Sequence, residues 1–201
     1  MRVLASMTWP LCALAGAQML HAEEPVSSEA ARAQAEVALS DQTLQLRYST
    51  NGRSVNADDA ALTYGVFLSE ERDVVLSADL QFHADFNLGR RLAVTCGPQL
   101  YAALLEEENN DVVALAVGAQ VRYAVAPDRD LAVVGSAYYS PDVLTFGSAD
   151  NLRDLQARLE MRLTRRLTGF AGYRWFQLDL LMRERRDLQN ELFAGARWQL
   201  K

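Results

Sequence analysis

Lysine is nearly missing from this 201-residue chain: Lys201 is the only one, and every other cation is arginine. Lys+Arg total 20 against Asp+Glu 26, a formal net charge of -6, so there is no basic excess to meet a nucleic acid. Cysteine is also scarce. Cys12 and Cys96 are the two in the sequence, which excludes a disulfide scaffold and a cysteine-based zinc site. His21 and His83 are the two histidines, too few for a poly-histidine metal site. The composition calls for no metal and no cofactor. No apolar run reaches the roughly 18 residues that a spanning helix requires.

What is present has a definite order. Half of the residues are apolar, 50%, and the length suits one domain with a sizeable core. Arg2 precedes a mostly apolar stretch over 3–14, followed by Ala15-Gly16-Ala17 and Leu20-His21-Ala22. That is the layout of a secretory signal peptide. Acids begin only at Glu23-Glu24. The expected organisation is a leader over 1–22, a lead-in over 23–40 and one domain over 41–201. Leu11-Cys12 lacks the small residue that precedes an acylated cysteine. Without the leader one cysteine remains, Cys96, so no intrachain disulfide can form in the export compartment.

From about residue 41 the apolar residues recur every second position, the period of a strand. Leu44, Leu46 and Tyr48 alternate with Gln45 and Arg47. Tyr64, Val66 and Leu68 alternate with Thr63, Gly65 and Phe67. Val74, Leu76, Ala78, Leu80 and Phe82 alternate with Val75, Ser77, Asp79, Gln81 and His83. Val113, Leu115, Val117, Val121 and Tyr123 alternate with Ala114, Ala116, Gly118, Gln120 and Arg122. The runs over 155–163 and 192–200 behave alike, while 92–104, 131–139 and 169–179 are apolar or aromatic on both faces. Turn signals separate the runs, among them Asn51-Gly52, 70–73, 106–111, 127–130, 141–150 and 182–187.

Each clear segment is about ten residues long, the length of a tilted strand crossing a bilayer. The predicted fold is all-β, an antiparallel transmembrane β-barrel of 8–10 strands. A soluble β-barrel or sandwich shows the same alternation with the apolar face turned inward. Export, a single cysteine and consecutive long strands with no helix-period segment between them favour the membrane. Nine segments are visible, and a bacterial single-chain barrel has an even number. Either 35–40 supplies a tenth strand or one of the nine is false. Counting back from the last strand places the links at 70–73, 105–111, 140–151 and 180–187 outside the cell. At the C-terminus Gly195, Trp198 and Leu200 have the glycine–aromatic–apolar spacing of a strand read by barrel-assembly machinery. The ordinary alternative is simply a last strand.

Tyr138-Tyr139-Ser140-Pro141-Asp142-Val143-Leu144, Gly172-Tyr173-Arg174-Trp175 and the closing strand at Gly195 resemble the YfaZ family of predicted bacterial outer-membrane proteins. The resemblance runs from about residue 41 onward and is sharpest over 131–179. It implies an outer-membrane β-barrel and brings no catalytic residues with it.

Candidate chemistry is sparse. Ser77, Asp79 and His83 share a face, but neighbours two apart on a strand are roughly 6–7 Å apart and form no triad by themselves. A polar lumen lining is the plainer reading. Glu106-Glu107-Glu108 with Asp111 offers oxygen ligands but no defined spacing. Arg183, Arg185 and Arg186 suit phosphate or simple solvation. Arg158, Glu160 and Arg162 read as a lumen ion-pair ladder with neighbours such as Arg122 and Glu191, plugging the barrel or lining a narrow pore. Tyr64, Tyr101, Tyr123, Tyr139, Phe170, Tyr173, Trp175, Phe176 and Trp198 suit an interfacial girdle, or in part the lumen. The expected role is structural or that of a narrow channel. Alternatives are a barrel enzyme acting on lipid or peptide through His83, and a soluble periplasmic ligand-binding barrel. The expected partners are outer-membrane lipid, lipopolysaccharide and the barrel-assembly machinery, with no nucleic acid.

Overall fold

The computed structural model describes residues 33–51, 60–84, 91–106, 111–126, 130–180 and 185–200. The expected leader lies outside these residues. Eleven strands follow one another: β1 Gln34–Ser40, β2 Thr43–Asn51, β3 Ala60–Ser69, β4 Val74–Ala84, β5 Leu92–Leu104, β6 Asp111–Ala126, β7 Leu131–Ser140, β8 Thr145–Gly147, β9 Ala149–Arg162, β10 Leu167–Leu180 and β11 Arg185–Gln199. Each of the ten long strands pairs antiparallel with two neighbours, and β1 pairs with both β2 and β11, which closes the barrel. The strand in doubt is therefore real: the run at 35–40 is β1, and all nine clear segments stand beside it. Gln34 lies opposite Gln199, so the strand order starts and finishes at one end of the barrel.

The period-two pattern decides which side of the wall each residue takes. On β9, Leu155, Leu159 and Met161 are exposed, while Leu152, Asp154, Arg158 and Glu160 are buried. The same split recurs on β3, where Tyr64, Val66 and Leu68 face out, and on β6, where Val113, Leu115 and Val117 do. The outside is thus a continuous belt of exposed valine, leucine and aromatic side chains. A water-facing surface does not carry an apolar patch of that extent. The soluble periplasmic barrel is excluded on this ground, and the wall faces lipid.

One departure from simple up-and-down order lies after β7. Pro141 leads into a short 3-10 turn, Asp142–Leu144, and β8 then pairs with 112–114 of β6. Ser140, fully buried, bonds through its hydroxyl to the Leu115 and Leu144 carbonyls and to the Thr145 hydroxyl. The Tyr-Tyr-Ser-Pro-Asp stretch is therefore a folded corner. Gly147 closes it with φ +101, where an added Cβ would sit 2.1 Å from the Asp111 carbonyl oxygen.

Candidate functional site

The interior of the barrel is filled at three levels. At the end far from Gln34 and Gln199, an apolar plug fills the lumen. Phe67 of β3, Val75 of β4, Tyr101 of β5, Leu152 of β9, and Phe176 and Leu178 of β10 are all buried together. The Phe67 and Phe176 rings meet edge to face at 5.9 Å, and Tyr101 packs on Phe176 at 5.5 Å. Three of the aromatics expected in the girdle, Tyr101, Phe170 and Phe176, are buried inside the barrel instead. Tyr64, Tyr123, Tyr139, Tyr173 and Trp198 are exposed on the wall.

Below the plug lies a polar layer. Arg174 donates from Nη2 to Asp154 at 2.7 Å and from Nε at 2.9 Å, and the Tyr101 hydroxyl donates to the same carboxylate at 2.8 Å. The Arg174 guanidinium also lies over the rings of Phe67 and Phe176, at 5.4 and 4.5 Å. Arg47 donates to Asp79 at 3.1 Å, and Gln81 donates to the Tyr138 hydroxyl at 2.7 Å. The space between these groups, lined by Gln45, Gln81, Gln99, Gln120 and Gln156 among others, is about 10 Å³. That is the volume of roughly one water molecule.

The third level lies toward the end where β1 begins and β11 stops. Glu160 is the centre: Arg197 reaches it at 2.7 Å, Arg158 at 3.0 Å and Arg122 at 3.6 Å. Arg158 also bonds Glu36 of β1 at 2.9 Å and covers the Phe170 ring at 4.8 Å. Arg162 stands at the rim, 3.9 Å from Asp130, with both side chains exposed.

The residues named from sequence do not all meet. Arg122, Arg158 and Glu160 come together. Glu191 does not join them: it lies beside Arg174 in the β10–β11 register, two positions from Gly172, the partner of Arg158. Its carboxylate instead accepts from the Ser40 and Thr43 hydroxyls. Asp79 is tied to Arg47, and His83 is exposed, opposite Thr95 in register, so the two do not pair. Glu106 pairs with Arg72, and Arg186 with Glu71 and Asp73. Glu107, Glu108 and Arg183 lie outside the described residues. Among the described residues no cluster of three or more metal-type ligands exists. Sequence reasoning missed Glu36, Arg47, Tyr101, Asp154 and Arg174 as interior pairing groups. Parity held the signal for Asp154, which continues the Gln156, Arg158 and Glu160 face by one more step.

A closed antiparallel barrel with an apolar outer belt and a charged, packed interior defines a small outer-membrane β-barrel protein. The sequence matches the family described as YfaZ precursor over residues 12–198, and the chain belongs to that family. No curated protein matches it. Among solved structures it resembles a bacterial polysaccharide outer membrane secretin, at 11% identity and TM-score 0.50, over 79% of this chain and 56% of that one. The chain thus spans little more than half of the secretin's length. It also resembles the KdgM porin in complex with disordered oligogalacturonate, at 12% identity and TM-score 0.48, over 84% of this chain and 99% of that one. A third likeness is to the outer membrane channel DcaP of Acinetobacter baumannii, at 8% identity and TM-score 0.41, over 82% and 54%. At these identities the likeness is one of fold. These structures are a secretin, a porin and a channel, and none is described as an enzyme.

Proposed function

We propose that the protein is a structural barrel of the outer membrane, closed at rest, and not an enzyme. One observation carries this reading: the lumen is filled twice over, by the Phe67–Tyr101–Phe176 plug and by the Glu160 arginine cluster. The polar space between them has room for about one water. A solute would have to displace the Tyr101–Asp154–Arg174 bonds to pass. The test is conductance in planar lipid bilayers. A closed barrel gives no discrete current steps, and steady steps of a single size from the unaltered protein would replace this reading with an open pore.

A narrow channel is favoured by one feature, the amide-rich layer between the two barriers, which offers hydrogen bonds to a passing polar solute. Against enzymatic use stands His83, exposed and, among the described residues, without a paired acid. His83→Ala should leave unchanged any hydrolysis seen with lipid or peptide substrates. The partners proposed are outer-membrane lipid and lipopolysaccharide along the apolar belt, and the barrel-assembly machinery at the β1–β11 seam, where Gly195, Trp198 and Leu200 lie.

A further inference from the structure

The wall of the barrel is not smooth. On its lipid-facing side a groove of about 410 Å³ runs along β9, β10 and β11, lined by Leu155, Ala157, Tyr173, Trp175 and Asn190. It is a shallow depression, open on its lipid side. Its floor is low because Ala157 lies opposite Gly135 in the register. Asn190 is unusual there, since an amide facing hydrocarbon needs a partner. Its carbonyl oxygen accepts from the Tyr173 hydroxyl, which leaves the amide N–H groups to donate toward the groove.

One step further from the start of β1 and the end of β11, the wall becomes polar. Arg153 is next but one to Leu155, and it faces Gln177 in register. Arg153 and Arg185 both contact Asp179, each at 3.5 Å, with side chains 40% and 70% exposed. Charge-assisted bonds are shorter, about 2.7–2.9 Å. Asp179 therefore leaves much of the donor capacity of both guanidinium groups unspent. Asp187, also exposed, lies opposite Gln177 and balances the rim, so net charge alone does not select a ligand.

We propose that this groove is a lipid-binding site for the lipid A portion of lipopolysaccharide. One acyl chain fills the groove between Ala157 and Trp175, Asn190 donates to the carbonyl at the head of that chain, and Arg153 with Arg185 binds a glucosamine phosphate. The leaflet follows from topology. The start of β1 and the end of β11 lie at one end of the barrel, and the groove's polar rim is at the other. With that end of the barrel on the periplasmic side, the rim lies in the outer leaflet. The proposal rests on the outer-membrane reading above, whose own failure shows as loss of heat-modifiable gel mobility.

The experiment is native mass spectrometry of the purified full chain in mild detergent, offered lipopolysaccharide and zwitterionic phosphatidylethanolamine in equal amounts. The unaltered barrel should retain one lipopolysaccharide in preference to the phospholipid. Ala157→Trp, which fills the groove, and Arg153→Ala with Arg185→Ala should each weaken retention about tenfold, the effect of about 1.4 kcal/mol. Val133→Ala, on the same wall but outside the groove, should not. Asn190→Leu serves where Ala157→Trp fails to give heat-modifiable mobility. Equal retention by all variants, or equal binding of both lipids, would overturn the site.

Discussion

Arg174 and Asp154 are joined by two hydrogen bonds, 2.7 and 2.9 Å long, in the closed interior of the barrel. Both side chains are almost wholly buried, and the Tyr101 hydroxyl donates to the same carboxylate. Removing one partner of such a pair strands the other. Asp154→Ala should therefore cost about 3–5 kcal/mol, while Asp154→Leu with Arg174→Met, which removes both charges, should cost less. Urea unfolding in micelles measures both. A single variant as stable as the double would mean that water reaches the pair.

The ladder at the other end should show the same asymmetry. From sequence, Arg158→Leu is expected to be tolerated unless the lumen ladder depends on it. Arg158 hydrogen-bonds Glu36 at 2.9 Å and forms an ion pair with Glu160 at 3.0 Å, so the ladder does depend on it. Arg158→Leu should cost about 3–5 kcal/mol, for the reason given for Asp154. Arg122 is partly exposed and 3.6 Å from Glu160, so Arg122→Leu should cost no more than about 1 kcal/mol. The same unfolding assay ranks them, and the reverse order would displace Arg158 from the centre of the cluster.

The wall predicts opposite chemistry at adjacent residues. Leu159 is exposed on the belt and Arg158 is buried inside. In a Cys96→Ser background, Leu159→Cys should react with a lipid-phase thiol probe and resist a water-phase one, and Arg158→Cys should not meet the lipid probe. Leu159→Arg should cost about 2–4 kcal/mol near the midplane. Equal aqueous labelling at both positions in intact membranes would contradict the embedding.

The plug makes a prediction about current. An apolar constriction excludes water and ions without a covalent gate. Phe67 and Phe176 lie within it and touch each other edge to face. Phe67→Ala with Phe176→Ala should give transient current steps in planar bilayers where the unaltered barrel is silent. Silence from a folded double variant would assign closure to the Glu160 cluster alone.

The strands were legible because burial on one wall imposes a period of two, and that period survives in single residues such as Leu155 and Arg158. β1 was the weak case. Seven residues long, it carries an alanine on each face, Ala38 inward and Ala35 outward, which blurs the alternation, and its link to β2 is Asp41-Gln42 alone. The interior pairs were not legible. Glu36 and Arg158 are 122 residues apart, and parity gives the side of the wall but not the height of a residue within the lumen. Glu191 shows the consequence: it lies on the inward face of β11, yet the register sets it two positions away from Arg158. Tyr101 and Phe176 were hidden for a related reason, since strands apolar on both faces carry no parity signal.

Gly195 has two explanations, and they make different predictions. As part of an assembly signal, it matters only to the machinery that inserts the barrel. In the structure it also lies at the seam, opposite Ala38 of β1 and against Phe170 of β10. An added Cβ would stand 2.3 Å from the Val37 carbonyl oxygen and 2.5 Å from the Phe170 ring. The backbone atom cannot yield, so a side chain there must push β1 away from β11 or displace the ring. Overpacking of this kind costs about 1–3 kcal/mol. Gly195→Val should therefore refold poorly in detergent alone, where no machinery is present. Trp198, exposed on the wall, meets no such obstacle, and Trp198→Ala should refold normally in detergent while inserting slowly in cells. Heat-modifiable mobility after refolding reads the first effect, and pulse-chase insertion reads the second. Normal refolding of Gly195→Val in detergent would remove the packing role and leave recognition by the machinery as the reason for the glycine.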